Sequence, residues 1–329
     1  MTVDDRFRLR EAGAVGPVPP GYTVTNTPDG ALVEGADGGR LLFARSGPGP
    51  LPGGPPADGR PSGSSAYSSA PAQQVDMVIV DAAQRPEVVG ELRRSGVIGV
   101  TTAVVAVGGD HRIRSPEEFA RRAHLWGVMA PGDGTVMSCP PAVWPESRPQ
   151  GPYRTLVTGG ARSGKSTEAE LRLLTEPRVV YAATGPVPDE ADPEWAERVE
   201  RHARRRPWWW RTEETTELAS LLRQTQGAML IDCLGTWLTW VMGECGLWED
   251  QPPEDAEELL ETAVHELLEA WRSTRAYVVA VTNEVGSGVV PPTRSGRIFR
   301  DQLGLLNQWV GAESEAVVLV TAGRVVELG

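Results

Sequence analysis

Apolar and polar positions pattern the chain most regularly in its second half. Runs of β-branched and apolar residues at 154–158, 178–184, 229–233 and 277–282 have strand length. Residues 316–320 and 324–328 read as a closing hairpin. Between these runs, helical spacing marks 165–174, 194–205, 216–224, 236–242, 257–272 and 293–310. Asp192 before Pro193 supplies an N-cap followed by a proline at the first helical position. Strands alternating with helices predict an α/β fold with a mainly parallel sheet covered on both faces. In such sheets ligands sit at the carboxyl ends of the strands. Thr184, Asp232, Asn283 and Glu284 end strands and are expected to converge there.

The first half is patterned differently. Short strands are expected at 22–27, 31–34 and 40–44, separated by Gly/Asp turns. Residues 46–74 are a run of Gly, Pro, Ser and Ala with almost nothing to bury, and are expected to be disordered. A strand at 75–80 ending in Asp81, a helix at 86–94, a strand at 102–107 and a helix at 116–125 capped by Ser115 complete a smaller α/β unit. Pro140 to Pro152 separates the halves, giving expected domains at 1–150 and 151–329.

Composition narrows the function classes. The net charge of −12 argues against a nucleic-acid binder, which needs a broad basic surface. Cys139, Cys233 and Cys245 lack metal-site spacing and read as reduced thiols of a cytoplasmic protein. No apolar run is long enough to span a membrane. Positive charge is written as arginine throughout, except at Lys165. Arginine is a planar fork, whereas lysine is a slim point charge, so this position needs the slim ammonium.

Lys165 lies in Gly159-Gly160-Ala161-Arg162-Ser163-Gly164-Lys165-Ser166, directly after an expected strand and opening an expected helix. This is a phosphate-binding loop in the context the motif requires. Its backbone N–H groups cradle phosphates, Lys165 reaches the β- and γ-phosphates, and Ser166 takes a magnesium ligand position. Asp232 is either a second magnesium-site carboxylate or a cap on the following helix. Glu213-Glu214 is either a helix start or a carboxylate reading guanine. Trp195, Arg198 and His202 share a helix face that ends in Arg204-Arg205-Arg206. That face is either solvated or holds a neutral imidazole among phosphate-binding guanidiniums. Arg294, Arg297 and Arg300 with Asp301 read as a salt-bridged face, a phosphate contact or a subunit contact.

Together these residues resemble the bifunctional adenosylcobinamide kinase / adenosylcobinamide-phosphate guanylyltransferase family. The resemblance runs from 154 to 328. It rests on the phosphate loop, Tyr181-Ala182-Ala183-Thr184, Arg198-Val199-Glu200-Arg201-His202, Trp210-Arg211-Thr212-Glu213-Glu214, Asp232-Cys233-Leu234 and Val281-Thr282-Asn283-Glu284-Val285-Gly286. It continues through Gly288-Val289-Val290-Pro291 and Arg300-Asp301 with Gly304, Asn307 and Gln308. The family often has a serine where Gly185-Pro186 stands here. The resemblance implies a RecA-like fold. It implies phosphorylation of adenosylcobinamide by GTP or ATP, then transfer of GMP from GTP to the phosphate through a guanylyl-histidine at His202. Carried over, Gly159 to Ser166, Ala183, Thr184, Gly185, Ala203, Arg204, Arg205, Arg206, Glu214 and Asp232 bind nucleotide, with Mg2+ on Ser166 and Asp232. A homo-oligomer, commonly a trimer, is implied as well. The alternatives are a phosphate-loop kinase of another small alcohol, with His202 structural, and a nucleotide switch.

In the first half, residues 81–86, Asp110-His111-Arg112, Trp126-Gly127 and Asp133-Gly134-Thr135 are similar to metallo-β-lactamase-like domains. With only His111 and His124 and no clustered histidine run, the region is expected to be a degenerate copy that binds no zinc pair.

Overall fold

The computed structural model describes residues 2–3, 9–10, 18, 20–45, 74–109, 113–141, 153–186, 197, 199–200 and 203–328. The chain divides into two compact units, Met1–Arg148 and Pro149–Gly329.

In the first unit, β1 (Thr2–Val3) and β2 (Leu9–Arg10) make a short antiparallel pair. The main sheet has five strands. β3 (Tyr22–Thr27), β4 (Gly30–Gly35) and β5 (Arg40–Ala44) run antiparallel to one another. β6 (Met77–Asp81) and β7 (Ala103–Val107) extend the sheet in parallel. The parallel strands are near-continuous apolar runs, as strands covered on both faces must be. Helices α1 (Glu87–Ser95) and α2 (Pro116–Trp126) bury Val89, Leu92 and Trp126. Ser115 caps α2 as its sequence predicts, accepting from the Glu118 N–H at 3.2 Å. Residues 46–73, 110–112 and 142–152 lie outside the described residues, and the expectations placed on them lie outside too.

The second unit is a seven-stranded sheet in the order β10-β9-β11-β12-β8-β13-β14. Its strands are β8 (Tyr153–Thr158), β9 (Val179–Ala183), β10 (Arg211–Glu214), β11 (Ala228–Asp232), β12 (Tyr277–Val281), β13 (Ala316–Thr321) and β14 (Arg324–Glu327). All neighbours are parallel except the closing β13–β14 hairpin. Side-chain alternation sends Val157, Leu230, Val281 and Val318 to one face, where α3 (Lys165–Leu173) packs through Ala169 and Leu173. Leu156, Met229, Ile231 and Ala280 face the other way. There they meet apolar side chains of α4 (Leu218–Gln224), α5 (Leu234–Glu244), α6 (Ala256–Ser273) and α7 (Arg294–Ala312).

Tryptophans fill much of this core. Trp209, Trp237 and Trp248 donate their indole N–H to the carbonyls of Glu176, Thr216 and Thr239. A buried ring is compatible with the apolar layers when its polar edge finds such a partner.

Three local expectations are corrected. Glu213-Glu214 is not a helix start but the end of an edge strand, Arg211–Glu214, paired in parallel with β9. Helix α4 therefore begins at Leu218 and not at 216, and the Thr216 carbonyl accepts from the Leu218 N–H and the Trp237 indole. The helix after β11 is capped by Cys233 and not by Asp232, so the capping alternative for Asp232 is removed.

Candidate functional site

The phosphate loop joins the buried end of β8 to α3. Gly159 must be a glycine, because a Cβ there would lie 2.4 Å from the Val320 carbonyl oxygen and 2.6 Å from Ser163 Oγ. Gly164 has φ +102°, where a side chain would be strained, and it hands the chain to α3. Two neighbouring segments and the loop's own helix α3 fasten it. The Glu284 N–H donates to Gly159 O at 3.1 Å, the Gly323 N–H to Ser163 O at 2.9 Å, and the Glu168 N–H to Gly164 O at 3.0 Å. Lys165 is buried, and its Nζ donates to Gly160 O at 3.1 Å across the loop. The first N–H groups of α3 have no intrahelical acceptor and point out of the helix N-terminus, which suits an anion. Thr158 Oγ1, just before the loop, and Ser163 Oγ, within it, are buried without a hydrogen-bond partner among the described residues.

Sheet register assembles the rest. Asp232 of β11 and Glu214 of β10 both pair with Ala183 of β9, so the three residues form one row on the face that carries α3. Two residues earlier on that face, Tyr181 pairs with Leu230 and Thr212. The Tyr181 phenol donates to Asp232 Oδ2 at 2.8 Å. Burial first, and the Asp232 charge second, push the Tyr181 hydroxyl well above the usual tyrosine range. The Arg206 guanidinium lies 3.3 Å from the Tyr181 ring centroid and donates to Thr212 Oγ1 at 3.1 Å.

The segment that ends in Arg206 is fastened to α3. Arg205 Nη2 pairs with the buried Glu170 of α3 at 3.1 Å, and Arg204 pairs with Glu200 at 2.6 Å on the exposed side. Residues 203–205 are helical, as their sequence predicts. Trp195, Arg198 and His202 lie outside the described residues.

Other expected site residues are placed as follows. Thr184 closes the end of β9 onto the start of α5. Its hydroxyl donates to Cys233 O at 2.7 Å, accepts from the Cys233 N–H at 3.0 Å and lies 2.6 Å from Thr236 Oγ1. Ala183 and Gly185 flank it, half-buried. Ser166 stands in the first turn of α3, also half-buried. Ser166 and Asp232 are hard oxygen donors, the donor type magnesium prefers. Ala161 and Arg162 form the exposed crest of the loop.

Among the described residues, the arginines of α7 bind main-chain carbonyls and not acids. Arg294 Nη1 donates to Leu247 O and Glu249 O, Arg297 Nη1 to Pro291 O and Pro292 O, and Arg300 Nη2 to Gly286 O. They clamp main-chain carbonyls of the loops after α5 and after β12, because those loops leave acceptors that no strand or helix satisfies.

The sequence pattern carries Tyr181 in a motif but assigns it no role. The signal was its two-residue offset from Ala183, which places both on one face, once β9 and β11 are known to be neighbours.

A family model described as cobinamide kinase / cobinamide phosphate guanyltransferase matches residues 155–328. The chain belongs to this family. The match starts in the phosphate-loop strand and ends in the last strand, so it takes in nearly every described element of the second unit. Among its relatives is the bifunctional adenosylcobalamin biosynthesis protein CobU of Escherichia coli (strain K12). It is 37% identical over 177 residues, which are 51% of this chain and 95% of that protein. The protein of the same name from Salmonella typhimurium is 38% identical over 180 residues, again 51% of this chain and 95% of that protein. Among solved structures, an ATPase from the type III secretion system of pathogenic bacteria gives a TM-score of 0.35. It is 13% identical, over 59% of this chain and 66% of that one. Among the described residues, no helix is long and apolar enough to cross a membrane.

Proposed function

We propose that the second unit phosphorylates adenosylcobinamide and then transfers GMP from GTP onto the phosphate, using one nucleotide site for both reactions. The observation that carries this reading is a phosphate loop, a strand-end Asp232 and a strand-end Glu214 on one sheet face, in a chain of this family. From β8 to β10 is four strand spacings, roughly 19 Å. That span suits a whole nucleotide, with phosphates on the loop and the base toward Glu214.

In the kinase step, Lys165 and the loop N–H groups hold the triphosphate while the substrate hydroxyl attacks the γ-phosphorus and the nucleoside diphosphate leaves. Ser166 and Asp232 would hold Mg2+, which when bound supplies charge neutralisation at the β- and γ-phosphates. In the second step, His202 attacks the α-phosphorus of GTP and pyrophosphate leaves. The substrate phosphate oxygen then attacks the same phosphorus and releases the imidazole. The covalent intermediate divides one hard displacement into two easier ones. Arg205 and Arg206, fastened to Glu170 and Tyr181, keep the segment after His202 beside α3.

The test is incubation with GTP labelled at the α-phosphate, followed by separation under denaturing conditions. Acid-labile, alkali-stable label on the protein, absent from His202→Ala, is expected. Unlabelled protein that still hydrolyses nucleotide would overturn the guanylyl-histidine reading.

A further inference from the structure

We infer that Glu284 is the general base of the kinase step, taking the proton of the attacking substrate hydroxyl; this rests on the function proposed above. Three carboxylates stand at or just past strand ends on the carboxyl edge of the sheet: Glu214 at the end of β10, Asp232 at the end of β11 and Glu284 just past β12. Strand order ranks their distance from the phosphate loop. β12 is hydrogen-bonded directly to β8, so Glu284 leaves the sheet one spacing, about 5 Å, from the loop strand. Asp232 is two spacings away and Glu214 four. The Glu284 N–H donates to Gly159 O at 3.1 Å, which ties its main chain to the first residue of the loop.

The other two carboxylates are otherwise engaged. Asp232 accepts the Tyr181 phenol and stands where a metal ligand is needed. Glu214 belongs to the far edge strand. The acids of α3 are buried against arginines, Glu168 with Arg172 and Glu170 with Arg205. Glu284 is exposed, and one of its oxygens is oriented. Oε1 accepts from the Gly286 N–H at 2.8 Å and lies 3.4 Å from Ser287 Oγ. Oε2 has no protein partner among the described residues.

The support beneath is rigid. Asn307 of α7 donates to Asn283 O at 3.0 Å and accepts from Thr282 Oγ1 at 2.6 Å, while Arg300 of α7 holds Gly286 O at 2.6 Å. A general base must be held within hydrogen-bond reach of the proton it removes, and this anchoring fixes the main chain that carries the carboxylate beside the first residue of the loop. The balance of the step is simple. The substrate oxygen bonds to the γ-phosphorus, the bond from that phosphorus to the β-bridging oxygen breaks, and the hydroxyl proton passes to Glu284 and then to solvent.

The experiment measures both half-reactions in the full-length chain with Mg2+, nucleoside triphosphate and adenosylcobinamide. For Glu284→Gln, which keeps an acceptor for the Gly286 N–H, kinase kcat is expected to fall roughly 100- to 10,000-fold. The nucleotide KM should stay within about threefold, because the loop is untouched. Guanylyl transfer to pre-phosphorylated substrate, which needs no hydroxyl deprotonation, should fall far less. Glu284→Asp, with a shorter carboxylate, should recover part of the kinase rate. Kinase turnover in Glu284→Gln close to wild type would overturn the inference. So would a parallel loss of both half-reactions with a raised nucleotide KM, the mark of a purely structural role. A wild-type chain that phosphorylates no corrinoid would instead overturn the function on which this rests.

Discussion

Tyr181 donates its phenolic hydrogen to Asp232 while its ring lies beneath the Arg206 guanidinium. One side chain thus links the segment that follows His202 to the carboxylate at the proposed magnesium position. Burial and the Asp232 charge both favour the protonated phenol, so the hydroxyl is the donor of this pair. Tyr181→Phe keeps the ring under Arg206 and removes only the donor. Because Asp232 is half-buried and can recruit water, the expected loss of stability is modest, about 1 kcal/mol. Nucleotide-dependent turnover is expected to fall about tenfold in both half-reactions, since the carboxylate loses its orientation. Denaturant midpoints and initial rates of the two half-reactions check this. Unchanged rates would show that Asp232 is positioned without Tyr181.

Two glycines of the second unit should respond oppositely to the same substitution. Gly159→Ala places a methyl 2.4 Å from the Val320 carbonyl oxygen, so the loop must shift. Strain of this kind costs on the order of 1–3 kcal/mol, and it falls on the loop that binds phosphate. Nucleotide affinity measured by titration should drop at least tenfold. Gly304 stands exposed in the middle of α7 with nothing within 4 Å of an added Cβ. Gly304→Ala should therefore raise stability by roughly 0.5–1 kcal/mol through helix propensity, and a higher denaturant midpoint is the readout.

What the sequence conveys and what it withholds follow from the range of the interactions. The phosphate loop, β8 and the start of α3 are contiguous, so their spacing alone places Lys165. Arg211–Glu214 was missed because it carries no apolar alternation. Its strand conformation comes from pairing with β9, a neighbour nearly thirty residues earlier in the chain. The Tyr181–Asp232 bond depends on which strands are adjacent and in what register, information held by the whole sheet. The arginines of α7 look like partners for acids, yet they serve main-chain carbonyls: Arg297 those of Pro291 and Pro292 just before the helix, Arg294 and Arg300 those of more distant loop residues that sequence spacing does not bring near.

Acid should selectively remove one clamp on the loop strand. Arg154 at the start of β8 holds Glu315 before β13. Its N–H donates to Glu315 Oε2 at 2.6 Å and its Nε to the same oxygen at 3.1 Å, and its Nη2 reaches Oε1. Hydrogen bonds from the Arg154 side chain and main chain hold the Glu315 carboxyl below its ordinary value of 4.5. A depressed carboxyl pKa stabilises the fold above the unfolded value, and that contribution disappears as pH falls through the folded value. Glu315→Gln should thus cost up to about 1 kcal/mol at neutral pH, as expected of a partly exposed pair. The difference from wild type should shrink as pH falls below the ordinary carboxyl range and through the depressed folded value, where both chains lack the carboxylate charge. Urea midpoints at neutral and acid pH test this, and a difference that persists in acid would assign the effect to packing.

Lys165→Arg retains the charge and changes only the shape, which makes it the sharpest test of the loop. Lys165 is 7% exposed, and its ammonium spans the loop to Gly160 O at 3.1 Å. A guanidinium adds a planar, three-nitrogen head at the end of the stem and cannot make the same single-point contact in that space. The crowded loop should lose its phosphate grip, and kinase turnover should fall roughly 100-fold or more, comparable to removal of one preorganised donor. Guanylyl transfer should fall as well, because in the proposed function the same ammonium holds the triphosphate in both reactions. A melting temperature within a few degrees of wild type would confirm that the fold survives and the loss is local. Retained kinase turnover would show that the loop has room for the fork, and that its single lysine is not there for steric reasons.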